Sequence, residues 1–250
     1  MEKPLGTIRA KGLNLERLAL PEKPNVSRPL EPGLLSYEDG KVYVSSNQTQ
    51  PEWVQLATTK FDWTQLGGSF NGENVGDKFG ASMSMSADGN TVAIGVPGVN
   101  NNTGQVNVHR YNDSSNAWQL SETFDGDLSY NRFGFSVSIS GDGSTLAIGA
   151  PHVDNNKGQI KVHRYNDSSN TWELSGTFDG GSNDEFFGWS VSISSDGNTV
   201  AIGVPGWDNN TGQVKVYRYE SATWKVSGTF EGGGNSVSIS ADGNTVAIGA

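Results

Sequence analysis

Three stretches of the chain are copies of one another at a fixed spacing of 54 residues, and that period constrains the fold more than any other feature. Phe79-Gly80, Phe133-Gly134 and Phe187-Gly188 keep this spacing, as do Asp88, Asp142 and Asp196, and Val92, Leu146 and Val200. A fourth copy, Asn235–Ala250, arrives 8 residues early, since Asp242 follows Asp196 after 46. A period near 50 residues implies one supersecondary unit that cannot bury its own faces and must stack on neighbours.

The copies spell out their strands. Ser136–Ser140 reads Ser-Val-Ser-Ile-Ser, the alternation of period 2 expected of a strand. Thr145–Gly149 alternates again, with Leu146 and Ile148 on one face and Ala147 and Gly149 on the other. Gly141-Asp142-Gly143-Ser144 joins them as a hairpin, Asp and Gly supplying the turn conformations. Gln159–Tyr165 and Trp172–Phe178 follow as a third and a fourth strand. Each unit is therefore a four-stranded antiparallel meander, with small side chains on one face of the inner strands and aliphatic ones on the other. Sheets covered on both sides by sheets need small residues opposite large ones. The fold class expected is all-β, a β-propeller of four-stranded blades, with a flat sandwich as the structural alternative.

Composition narrows the function. Only 34% of residues are hydrophobic and 33 are Gly, which suits short strands and tight turns better than long helices. A net charge of −10 argues against a nucleic-acid partner. With no Cys there is neither a disulfide framework nor a Cys-ligated metal. The first residues carry charges every few positions and lack the apolar core of a signal peptide, and no run approaches 18 apolar residues, so no membrane insertion is expected.

Phe133-Gly134 followed by Gly149-Ala150-Pro151 resembles the FG-GAP repeat of integrin α-subunit propellers and of bacterial, algal and viral surface proteins. Phe79-Gly80 with Gly95-Val96-Pro97, and Phe187-Gly188 with Gly203-Val204-Pro205, fit nearly as well. The resemblance covers residues 63–250 and implies blades of a propeller. Ahead of it, residues 1–39 hold five of the nine prolines and read as an extended arm. Residues 40–62 read as a short hairpin and linker; Gly33–Val44 followed by Trp53 resembles a hairpin of phage and large-virus fibre proteins. Lys41–Ser45 resembles a third blade strand and Trp63–Leu66 a fourth. Joined to the last two strands, they would complete a fourth blade and close a ring; otherwise the chain is part of a larger propeller.

The FG-GAP resemblance also implies a Ca²⁺ loop, Asp-x-Asp-x-Asp-Gly-x-x-Asp, in the first hairpin. Its third acid falls on Asp88, Asp142, Asp196 and Asp242, but Ser occupies the two preceding ligand positions and Val or Leu the last. Ca²⁺ takes six to eight oxygens, usually several from carboxylates. These loops are expected to be plain turns, weak Ca²⁺ candidates at most, with no cofactor required. Arg110, Arg164 and Arg218 recur at one position and are read as blade structure; His109 and His163, which share a position with Tyr217, are read as outer-strand residues.

Candidate ligand-binding residues come from positions where the copies differ. In a meander, alternate loops emerge on opposite faces, and the loops before each Phe-Gly and after each Pro diverge between copies. They carry Asp127, Tyr130, Asp154, Asp184, Glu185, Trp207 and Asp208, and Trp189 stands where the other copies hold Ala81 and Phe135. Exposed aromatics beside carboxylates suit sugar stacking with hydrogen bonds to hydroxyls. Truncating Trp207 and Asp208 together is expected to abolish attachment at almost unchanged melting temperature. Nothing resembles a nucleophile with its base, a phosphate loop or a metal triad, so no enzymatic activity is expected. The reading is a binding or adhesion module at a virion or cell surface, recognising a glycan or surface protein. The alternatives are a polysaccharide-active enzyme and a purely structural virion or matrix component.

Overall fold

Strands dominate wherever the period-2 pattern runs, and the Asp-Gly and Asn-rich segments turn the chain between them. The computed structural model describes residues 65–250 and three earlier strands, β1 (Leu35–Glu38), β2 (Lys41–Ser45) and β3 (Trp53–Thr58). The chain divides into two units, Met1–Thr64 and Gln65–Ala250.

In the first unit the sheet order is β1-β2-β3, all antiparallel. Lys41–Ser45 is thus a strand, as its sequence suggests, but it pairs with Leu35–Glu38 and Trp53–Thr58 rather than with a strand at Trp63–Leu66. Gln65 and Leu66 belong to no strand, and Trp63 lies outside the described residues. Of the two alternatives, completion of a fourth blade by that pair of strands is not the pairing that β2 makes, and its second strand lies partly outside the described residues.

The second unit holds three four-stranded meanders. They comprise β4 (Ser82–Met85), β5 (Thr91–Val96), β6 (Gln105–Asn112) and β7 (Ala117–Asp125); then β8 (Ser136–Ile139), β9 (Thr145–Ala150), β10 (Gln159–Asn166) and β11 (Thr171–Asp179); then β12 (Ser190–Ile193), β13 (Thr199–Val204), β14 (Gln213–Glu220) and β15 (Thr223–Glu231). A two-stranded sheet, β16 (Ser236–Ile239) and β17 (Val246–Gly249), follows. The first strands pack in sequence, β4 on β8, β8 on β12 and β12 on β16. The sheets follow the order of propeller blades and do not close into a ring.

The serines of the inner strands make the joints between blades. The Ser82, Ser136 and Ser190 hydroxyls donate to the carbonyls of Gly134, Gly188 and Gly234 in the next blade, at 2.9, 2.8 and 3.0 Å. Two residues on, Ser84, Ser138 and Ser192 accept the backbone N–H of Ile139, Ile193 and Ile239, at 3.0, 3.1 and 3.1 Å. Each Ser-x-Ser therefore satisfies backbone groups that a buried inter-blade surface would otherwise leave unpaired. The Phe-Gly and Gly-x-Pro segments meet at these joints. Gly134 N–H donates to Gly149 O within its own blade, while Gly149 abuts Gly188 of the next. The aliphatic faces bury Leu146, Ile148, Val200 and Ile202 completely, and Phe133 and Phe187 lie in the core between blades.

Outer strands carry an aromatic ladder. Phe124 packs on His163 and Trp172, Phe178 on Tyr217 and Trp224, and Phe70 on His109 and Trp118, with ring centroids 4.2–5.9 Å apart. Phe70 thus occupies on the first blade the place that Phe124 and Phe178 take on later ones. The recurring arginines tie neighbouring blades together. Arg164 lies 4.0 Å over Tyr219 and donates to Gly197 O and Asn198 Oδ1, while Arg218 donates to the equivalent Gly243 O and Asn244 Oδ1.

Candidate functional site

The Asp-Gly hairpins satisfy themselves. Asp88 Oδ1 accepts the Ser86 hydroxyl at 2.5 Å and Asn90 N–H at 3.0 Å, and Ser86 Oγ accepts Thr91 N–H at 2.9 Å. Asp142, Asp196 and Asp242 repeat the same bonds to Ser140, Ser194 and Ser240. These donors hold all four carboxyls below their ordinary range. At Asp88 and Asp242 the serine hydroxyl contributes most, whereas at Asp142 and Asp196 burial pushes upward and the hydrogen bonds outweigh it. The carboxylates are therefore committed to their own turns. Among the described residues no three His, Cys, Asp or Glu side chains gather as a metal-binding group. Millimolar Ca²⁺ should stabilise the fold by less than about 1 kcal/mol unless Kd lies well below the concentration used. Melting with Ca²⁺ and with chelator should give matching midpoints, and a rise of about 10 °C would show these loops to be ligands.

At the opposite end of each blade the chain makes an unusual turn. Asn100-Asn101-Asn102, Asp154-Asn155-Asn156 and Asp208-Asn209-Asn210 each place three consecutive residues in the left-handed region, with φ from 44° to 67°. Asn and Asp tolerate that region better than other residues with a Cβ, which accounts for the composition of these loops. The turns hold the loop that leads into the next blade. Asn101 O and Asn102 O accept Tyr130 N–H and Arg132 N–H, and Asn155 O and Asn156 O accept Asp184 N–H and Phe186 N–H.

The third turn lacks this cover. Six residues separate Gly126 from Phe133 and Gly180 from Phe187, but in the last copy Gly232 adjoins Gly233 directly. Gly233 N–H still reaches Thr211 O, while among the described residues no backbone donor meets Asn209 O or Asn210 O. The space stays open as a cleft of about 560 Å³, walled by Ser182–Glu185 on one side and Gly206–Asn210 on the other. Gly206 makes the close approach of its walls feasible, since a Cβ there would lie 1.8 Å from Asp184 O.

Four of the sequence candidates line this cleft: Asp184, Glu185, Trp207 and Asp208. Asp208 and Asp184 are exposed, but Glu185 is only 7% exposed and its Oε2 accepts Gly181 N–H at 2.7 Å. Trp207 is half-buried and packs on the core formed by Ile160, Phe187 and Ile202. The expectation that Trp207 can be truncated without thermal cost is corrected, because the same indole lines the cleft and supports the core. The remaining candidates lie elsewhere. Asp154 and Asp127 form 2.6 Å ion pairs with Lys157 and Lys161, and Tyr130 is exposed on the loop covering the first turn. Trp189 joins a repeat-breaking aromatic cluster with Phe135, His152 and Phe186, its ring 4.6 Å from Phe135.

A polar relay runs from this cluster to the cleft edge. Arg132 Nη1 lies 3.3 Å from His152 Nε2, His152 Nδ1 lies 2.7 Å from Asn156 Oδ1, and Asn156 Nδ2 donates to Asp184 Oδ1 at 2.8 Å. Arg132 can only donate, so the tautomer that satisfies both neighbours is a neutral imidazole with its proton on Nδ1. Burial lowers the His152 pKa, the Asn156 bond opposes it, and the Arg132 charge adds a smaller downward push, so the neutral form is favoured. Sequence reasoning missed His152, Asn156, Asn209 and Asn210. The 8-residue shortening was the available signal for the last two.

Repeated meanders, serine-latched joints and a loop face carrying the variable residues define a β-propeller-type repeat protein. Residues 125–162, from the end of β7 into β10, match the model of the FG-GAP repeat. The chain thus carries an FG-GAP repeat at residues 125–162 within a β-propeller-like series of blades. No curated protein sequence matches it. Its fold is similar to that of a Bacteroides uniformis protein provisionally designated a 6-phosphogluconolactonase (TM-score 0.50, 12% identity, 87% of this chain and 63% of that one). Saccharomyces cerevisiae Sqt1 (TM-score 0.43, 14% identity, 62% and 36%) and Acinetobacter baumannii TolB (0.42, 16%, 83% and 42%) also align. The chain spans less than two-thirds of the length of each of these structures. Among the described residues no helix is long and apolar enough to cross a membrane.

Proposed function

We propose that this chain is a non-catalytic binding module of a virion or cell surface, and that it takes a glycan in the cleft at its third left-handed turn. One observation carries the reading: the loop that covers the equivalent turn in the first two blades is shortened only here, which exposes a partly apolar, hydrogen-bonding cleft. Trp207 offers an apolar ring face, and Asp184, Asp208, Asn209 and Asn210 offer the donors and acceptors that sugar hydroxyls need. The opposite end, with its saturated Asp-Gly turns, offers few free groups.

Asp208→Asn and Asp184→Asn keep the side-chain shape and the tolerance of positive φ while removing charge, so both should fold normally. On a glycan array the native protein should retain a discrete set of sugars, and the double variant should lose most of that signal, about tenfold or more. Changes in the Asn166–Ser169 loop, at the far end of the blades, should leave binding intact. Loss through that loop, or release of reducing ends from a polysaccharide that stops on Asp208→Asn, would refute this assignment.

A further inference from the structure

We infer that the chain associates head to tail, the β16–β17 sheet of one copy packing on the β4–β5 face of a second copy. The joint between blades follows one pattern of three hydrogen bonds, repeated along the chain. Beside the two serine latches, the backbone of successive first hairpins is linked. Ala87 N–H donates to Gly141 O, Gly141 N–H to Ser195 O, and Ser195 N–H to Ala241 O, at 2.8, 2.9 and 2.9 Å. The β16–β17 sheet carries one half of this pattern unused. Ser236 and Ser238 are exposed, and among the described residues neither hydroxyl, nor Ala241 N–H, meets a partner. Blade 1 carries the other half: Gly80 O, Met85 N–H and Ala87 O stand where Gly134 O, Ile139 N–H and Gly141 O stand one blade later.

Burial draws the same two faces. Ala93, Ala147 and Ala201 are 0% exposed beneath the following blade, whereas Ala247, at the same position in β17, is exposed. On the opposite side, Val137 and Ile139 are 8% and 5% exposed beneath the preceding blade. Met83 and Met85, which hold those positions in β4, are 64% and 56% exposed. Two flexible, polarizable side chains on one face suit a partner surface of Ser, Ala and Gly, and burying them is favourable. The occupant follows from the register. Only a sheet with Ser-x-Ser beside Ala-x-Gly at blade spacing meets all three backbone groups, and this chain holds one in Ser236–Ser238 and Ala247–Gly249. Each face complements the other and not itself, so the contact is heterologous, and copies joined by it close as a ring or extend as a row. Neither Trp207 nor Asp208 takes part, which keeps this contact separate from the glycan cleft.

The chain has no Cys, so single introduced thiols report the contact. Met85→Cys and Ser238→Cys place one thiol on each face, at positions that meet in the inner joints through the 3.0 and 3.1 Å bonds of Ser84 with Ile139 and Ser138 with Ile193. Whole chains of the two variants, mixed and treated with a short bis-maleimide, should give a covalent dimer that neither gives alone. Light scattering of the native protein should show its mass rising to a dimer or beyond as concentration increases. Ala247→Arg, and separately Met83→Asp with Met85→Asp, should weaken that association about tenfold or more. These side chains are exposed in the single chain, so the melting midpoint of the dilute protein should stay in place. A native protein that remains monomeric at every concentration would overturn the inference. So would a Met85→Cys, Ser238→Cys double variant that cross-links only within one molecule, because the chain would then close its own ring. Association that survives both sets of face variants would place the contact elsewhere and overturn it as well.

Discussion

Gly149→Val should cost about 3–4 kcal/mol or more, and lower the melting midpoint by roughly 10 °C for a unit of this size. The glycine is required by space, since its φ is not in the positive region. A Cβ at Gly149 would stand 2.2 Å from Ser136 Oγ and 2.3 Å from the Gly188 carbonyl oxygen. The hydroxyl could rotate away only by abandoning its 2.8 Å bond to that same carbonyl, and the carbonyl belongs to the next blade's backbone. Relief therefore requires the two blades to move apart along a surface that holds fully buried Leu146, Ile148 and Phe187. Gly95 and Gly203 meet the same obstacle, with Cβ positions 2.1 Å from Gly134 O and Gly234 O. Gly68→Ala, where nothing lies within 4 Å, is the control and should stay within about 0.5 kcal/mol of the native protein. A Gly149→Val protein that melts with the native one would show that the joint is not formed as described.

This joint explains why the fold was so legible and the site was not. The spacing of Phe133-Gly134 and Gly149-Ala150-Pro151 is a local record of a contact made again at every blade, so one chain displays the same constraint several times. Strand positions followed within about one residue: Gln159–Tyr165 was expected and Gln159–Asn166 is observed. Ring closure is different. It depends on a long-range pairing that occurs once at most, and β2 instead found partners close in sequence, in β1 and β3. The site shows the same division. The Asn-rich loops revealed that positive φ was tolerated, but what each turn clasps is set by a loop about 30 residues later. Asp127, Asp154 and Glu185 look alike in sequence as loop acids. Two are paired with lysines and one is buried, accepting the Gly181 N–H, and nothing local distinguishes them.

Acid should destabilise the native protein well before its carboxylates titrate, and His163→Tyr should remove most of that sensitivity. The His163 ring lies against Phe124 with centroids 4.5 Å apart, and its Nε2 has no hydrogen-bond partner. Burial, with a further push from the Lys161 charge, lowers its pKa from 6.5 to about 4. Above pH 6.5 the imidazole is neutral in both states and stability is unaffected. As pH falls below 6.5 the unfolded chain takes up a proton that the folded chain refuses, so stability declines until the folded pKa near 4 is reached. At about 1.4 kcal/mol per pH unit the loss approaches 3 kcal/mol across this window, or roughly 6–10 °C in melting midpoint. His109 and His152 have pKa values lowered chiefly by burial, and add to the decline in the same direction. The lowered carboxyls of Asp88, Asp142, Asp196 and Asp242 act in a separate window, losing their contribution only as pH falls below the usual carboxylate value of 3.8. Tyrosine is the natural replacement because Tyr217 fills the equivalent place in the next blade, stacked on Phe178 at 4.2 Å. Melting curves between pH 7 and 4.5 should therefore fall steeply for the native chain and only gently for His163→Tyr. Parallel curves for the two proteins would mean that His163 is protonated in the folded state, and that its face of the blade is open to water.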